Sequence, residues 1–186
     1  MVPMMSLWLP IVLSAVMVFV ASSIIHMVLK YHSTDFGRAP KEEDLQTALR
    51  GFSIPAGDFL VPCPGGSAGM KDPKYQEMVK KGPVVLMTVL PSGGVNMGAS
   101  LGMWFIFCLV VSVFAAYVTG RAVPAGTSYL TVFRFAGVTA FAAYALALWQ
   151  NTIWYKRAWG TTIKNTFDGL VYALLTAGTF GWLWPK

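Results

Sequence analysis

Four stretches of the chain are apolar on nearly every side of a helix rather than along one stripe: Trp8 to Leu29, Leu101 to Thr119, Tyr129 to Gln150 and Asp168 to Trp184. A helix rises 1.5 Å per residue, so about 20 apolar residues cross a hydrocarbon layer roughly 30 Å thick. The four stretches reach that length or come close. They predict an all-α membrane protein with four transmembrane helices in a bundle, a single integral membrane domain over residues 1 to 186.

Residues 30 to 98 follow a different pattern and predict a loop of about 70 residues containing short helices and a small hairpin. In "APKEEDLQTALRGF", Leu45, Ala48, Leu49 and Phe52 recur at helical spacing, with Glu42, Glu43 and Asp44 in the first turn and Arg50 and Gly51 at the end. In "DPKYQEMVKKG", Asp72 is placed to cap, Pro73 to open and Gly82 to end a second helix, with Tyr75, Met78 and Val79 facing inward. "PVVLMTVLP" and "DFLVPC" are short β-prone runs and candidate partners. "PGGSAGMK" lacks the adjacent Gly-Lys and following Ser or Thr of a phosphate loop, and reads as a turn.

Composition agrees with the membrane reading: 55% of residues are hydrophobic, 12% are charged and the mean hydropathy is +0.57. "MVPMMSLW" has no Lys or Arg, so the first span is expected to be retained rather than cleaved as a signal peptide. The net charge of +6 does not point to nucleic acid, because eight basic residues in the 30 to 98 loop face seven acidic ones. The remaining excess lies at span edges, where orientation and anionic lipid account for it. Lys156, Arg157 and Lys164 between the last two spans, against Arg121 alone between the second and third, put loops one and three in the cytoplasm. Both termini are then periplasmic and the protein is a multi-pass inner-membrane protein. Cys63 and Cys108 form no C-x-x-C pair, so neither a disulfide nor a thiolate metal site is indicated.

Small residues recur every four positions in the last span at Gly169, Ala173, Ala177 and Gly181, a candidate helix-packing face. Shorter rows occur at Ser112, Ala116 and Gly120 and at Thr139, Ala143 and Ala147. Polar residues near the cytoplasmic edge suggest a cluster of His26, Ser22, Gln150, Asn151 and Asp168, since such groups turn inward and find one another near lipid. The cluster either fixes bundle register or, with His26 beside Asp168, exchanges protons or contacts a ligand. A metal or haem site is not expected: on a continuous helix His26 and His32 stand about 240° apart. No H-E-x-x-H or G-x-S-x-G motif occurs and no second intramembrane carboxylate joins Asp168, so no enzyme activity is expected.

"WLPIVLSAVMVFVASSIIHMVLKYH", "GPVVLMTVLP" and "RAWGTTIKNTFDGLVYALLTAGTFGWLWP" together resemble a family of uncharacterised small bacterial multi-pass membrane proteins. That resemblance implies a bacterial inner-membrane location and carries over no activity or site residue. The expected role is a structural or accessory subunit, or an assembly factor, of a larger membrane complex, with membrane lipids and other subunits as partners and a homo-oligomer as a further option. No cofactor is expected beyond bound lipid. The alternative is a small transporter or channel built on the cytoplasmic-side cluster, and a membrane enzyme acting on lipid or quinone ranks last.

Overall fold

The computed structural model describes residues 1 to 186. The long helices are α1 (Trp8–Met27), α4 (Met97–Ala122), α5 (Tyr129–Tyr144) and α7 (Trp159–Trp182). Between them lie α2 (Glu42–Gly51), α3 (Pro73–Lys81), α6 (Trp149–Tyr155) and two strands, β1 (Gly57–Val61) and β2 (Val85–Val89). The chain divides into two compact units: a helical one of residues 1 to 37 and 97 to 186, and a smaller one of residues 38 to 96. Three helical segments are long and apolar enough to cross a membrane: Met4–Met27, Met97–Ala122 and Tyr129–Tyr155, the last joining α5 and α6 through a 3-10 turn. α7 is as long but less apolar, and it starts nine residues ahead of the expected span, at Trp159 instead of Asp168.

In the helical unit α1 packs on α4 and α7, and α5 packs on α4 and α7. The α1 and α4 helices run antiparallel: Ser22 meets Trp104, Ser14 meets Ser112 and Leu7 lies against Gly120. The same holds for α5 and α7, where Tyr129 covers Gly181, Gly137 meets Ala177 and Ala145 meets Gly169. A Cβ on Gly169 would stand 2.8 Å from the Ala145 Cβ, and one on Gly181 would stand 2.7 Å from the Tyr129 ring. Glycine is required there because close backbone approach supplies the van der Waals contact that drives helix association in lipid. The Gly169, Ala173, Ala177 and Gly181 face is thus spent inside the chain, on α5. On α5 and its C-cap the residues against it are Tyr129, Gly137 and Ala145, and the expected Thr139, Ala143 and Ala147 row is not the buried one. Val132, Ala136, Ala140 and Tyr144, also four apart, are the buried residues of α5. A uniformly apolar helix carries no stripe to choose between such rows.

Proline at position 10 is tolerated because it falls in the first turn of α1, where a backbone N–H has no intrahelical partner. α1 ends at Met27, and the chain reverses through Leu29 into a 3-10 turn, Lys30–Thr34, that packs back on α1. Residues 30 to 37 therefore belong to the helical unit and not to the loop expected over 30 to 98.

The second unit follows its sequence signals closely. Asp72 accepts a hydrogen bond from the Lys74 N–H at 2.9 Å, Pro73 opens α3, and Gly82 ends it with φ of 60°. β1 and β2 pair antiparallel with Gly57 opposite Val89 and Val61 opposite Val85. They are not the two arms of a tight hairpin, since α3 lies between them in the chain. No residue from 38 to 96 is fully buried. The face of α2 remains exposed, as do Met78 and Val79 of α3, which were expected to turn inward.

Candidate functional site

The last turn of α1, the 3-10 turn after it and the first half of α7 bring a polar network together at one end of the helical unit. Its centre is His32. The Nδ1 of this ring donates to Asp35 Oδ2 at 2.6 Å and the Nε2 donates to Asp168 Oδ2 at 2.8 Å. Both ring nitrogens thus face carboxylate oxygens, and His32 bridges Asp35 and Asp168. The Tyr31 hydroxyl donates to the other Asp168 oxygen. Lys164, one helical turn before Asp168, donates from Nζ to Asp35 Oδ1 at 2.8 Å, to the Tyr31 carbonyl at 2.6 Å and to Thr34 Oγ1 at 3.0 Å. The buried Asp168, 2% exposed, therefore has a hydrogen-bond partner on each carboxylate oxygen, and Asp35 is held by both His32 and Lys164.

Two groups of the network outside the helices respond to it in opposite directions. Burial alone would raise the Asp35 carboxyl, but hydrogen bonds from Lys164 and His32 outweigh it and hold the group below its ordinary value. Burial, then the bond to the Asp168 carboxylate and its charge, push the Tyr31 hydroxyl above the ordinary phenol value, so it stays a donor.

Of the residues singled out from the sequence, Asp168, His26 and Ser22 lie here, in a different arrangement from the expected His26 and Asp168 pair. His26 donates from Nδ1 to the Ser22 carbonyl at 3.0 Å and stacks on His32, with ring centroids 4.6 Å apart and planes 9° from parallel. The reversal at Leu29 undoes the 240° separation that a continuous helix would impose, and the two histidines become neighbours. Ser22 is buried; its hydroxyl donates to the Phe19 carbonyl at 2.8 Å and accepts from the Trp104 indole at 2.7 Å. Gln150 and Asn151 are exposed on α6, and neither side chain bonds to the network. α6 instead meets α7 through Thr152 and Thr162, which share a hydrogen bond, and through the Trp149 indole, which donates to Thr166 at 3.1 Å.

His32, Tyr31, Asp35 and Lys164 were not marked as site residues by the sequence. Two signals were present: His32 and Asp35 are spaced i, i+3, and Lys164 and Asp168 share one face of α7 at i, i+4. Neither says which other element the pair will meet. Inward of the network, Trp104, Tyr144 and Tyr172 meet with ring centroids 5.5 to 6.2 Å apart, and the Tyr172 hydroxyl is buried without a hydrogen-bond partner. No family model, no curated protein and no solved structure matches this chain.

Proposed function

We propose that the protein is a bacterial inner-membrane protein of four membrane-crossing helices, α7 being the fourth, and that it serves as a structural or accessory subunit of a larger membrane complex. What supports a fourth crossing is the pairing of the α7 charges. Lys164 and Asp168 both have partners on the turn after α1, so inserting α7 leaves no bare charge in lipid. At 24 residues the helix is about 36 Å long, enough to cross.

The observation that carries the accessory role is the apolar face of α2. Leu45, Leu49 and Phe52 are 47%, 39% and 74% exposed, and with Ala48 they form the i, i+3, i+4, i+7 anchors by which an amphipathic helix seats in a groove. Glu42, Glu43 and Asp44 are matched by Arg38, Lys41 and Arg50, with Arg38 bonded to Glu42 at 2.7 Å, so the segment has no net positive charge to draw it to anionic lipid and suits a protein groove with a charged rim. The partner is accordingly another membrane subunit whose extramembrane surface has such a groove. The test is purification of the native complex in mild detergent, beside a Leu45→Glu, Leu49→Glu variant. Stoichiometric co-purification that the variant loses, with its helical unit still folded, is the expected result. A lone homo-oligomer, or a partner retained by the variant, contradicts the reading.

A further inference from the structure

We propose that His26, His32 and Asp168 form a binding site for a divalent transition ion of the zinc class. One ligand atom from each of the three lies within 4.8 Å of the other two. Four-coordinate zinc with bonds of about 2.0 to 2.2 Å sets its ligands roughly 3.3 Å apart, so the trio is near closure, and the His32 Nε2 to Asp168 Oδ2 edge is already at 2.8 Å. Nitrogen and carboxylate donors in a two-to-one set suit zinc and its first-row neighbours rather than magnesium or calcium.

An independent observation is that the remaining polar atom of every ligand is already held. His32 Nδ1 donates to Asp35, itself anchored by Lys164. His26 Nδ1 donates to the Ser22 carbonyl, which leaves its Nε2 lone pair without a partner. The second oxygen of Asp168 accepts from Tyr31. Carboxylates, carbonyls and hydroxyls in these positions orient metal ligands and fix the histidine tautomer that binds. An arriving ion displaces the proton between His32 Nε2 and Asp168 Oδ2, and the Nδ1 bond to Asp35 stays in place.

One ligand must move. Because the imidazole planes are nearly parallel, an ion in the plane of His32 lies off the plane of His26. His26 is exposed and its one hydrogen bond is to its own helix, so its ring tilts out of the stack on His32 to close the site. His32 and Asp168, locked from both sides, stay. Three protein ligands leave a fourth position for water or a ligand group.

The test uses the full-length protein in detergent or nanodiscs, carrying an affinity tag without histidine and stripped with a chelator. Zn2+ affinity is measured by competition with a chromophoric chelator, and Co2+ supplies the visible spectrum. Wild type should bind one Zn2+ per chain and give an intense four-coordinate Co2+ band. His26→Ala removes one exposed ring stack and no hydrogen bond to another element, so it should fold normally, lose about tenfold or more in Zn2+ affinity and lose the band. Failure of folded wild type to bind one Zn2+ per chain overturns the site, as does a smaller loss or a retained band in His26→Ala.

Discussion

The two ends of the helical unit are closed by different physics. At one end, charged side chains from the turn after α1 grip α7 through Asp35, His32, Lys164 and Asp168. At the other end the main chain carries most of the polar load. The Val2 N–H donates to the Gly120 carbonyl at 2.8 Å, the Gly126 N–H to the Pro185 carbonyl at 2.9 Å, and the Trp184 indole to the Pro124 carbonyl at 2.9 Å. Around these bonds Leu7, Val123, Val132 and Phe180 are fully buried. The first end depends on charge balance and the second on close packing, so the two should fail in response to different substitutions.

Asp168→Asn attacks the charged end and should have the largest effect. It replaces the carboxylate that His32 Nε2 and the Tyr31 hydroxyl both contact, and so breaks the buried His32 and Asp168 pair from one side. Breaking a buried pair from one side costs about 3 to 5 kcal/mol, read as a lowered denaturation midpoint in detergent with the metal stripped. Gly181→Val attacks the packed end. Its side chain would enter the Tyr129 ring, and overpacking of this kind costs about 1 to 3 kcal/mol in the same assay. Trp184→Phe deletes the hydrogen bond to Pro124 and shrinks a buried bicyclic ring to a single one, which together should cost about 1 to 2 kcal/mol. Ser14→Ala, midway between the ends, removes the buried bond to Ser112 at 3.0 Å and should cost about 0.6 kcal/mol, a typical value for such bonds between membrane helices. Equal responses at the two ends would remove the distinction between them.

The contrast also explains what the sequence could reveal. Apolar length located α1, α4 and α5 within a few residues, because lipid imposes a fixed thickness on any crossing helix. The caps of α3 were legible for a local reason: Asp72, Pro73 and Gly82 act on the backbone beside them. The packed end left little trace, since bonds such as Val2 to Gly120 are made by backbone groups that every residue has. At the charged end Asp168, His26 and Ser22 could be picked out as polar residues in apolar runs. His32 could not, because its role depends on a reversal at Val28 and Leu29 that no glycine or proline marks. Gln150 and Asn151 satisfied the same rule of depth and polarity, yet α6 presents them outward. Depth limits which residues can meet, and the rotation of each helix decides which do.

The central claim is that the charged grip on α7 lets it cross the membrane as a fourth helix. The most direct measurement is the sidedness of the two ends of the chain. With Cys108 replaced by Ala, and Cys63 also replaced in the terminal variants, Met5→Cys and Lys186→Cys are labelled in intact cells by a membrane-impermeant maleimide, with native Cys63 probed separately. Four crossings predict labelling at both termini and protection of Cys63 until the cells are opened. Labelling of one terminus without the other, the result three crossings would give, contradicts the account.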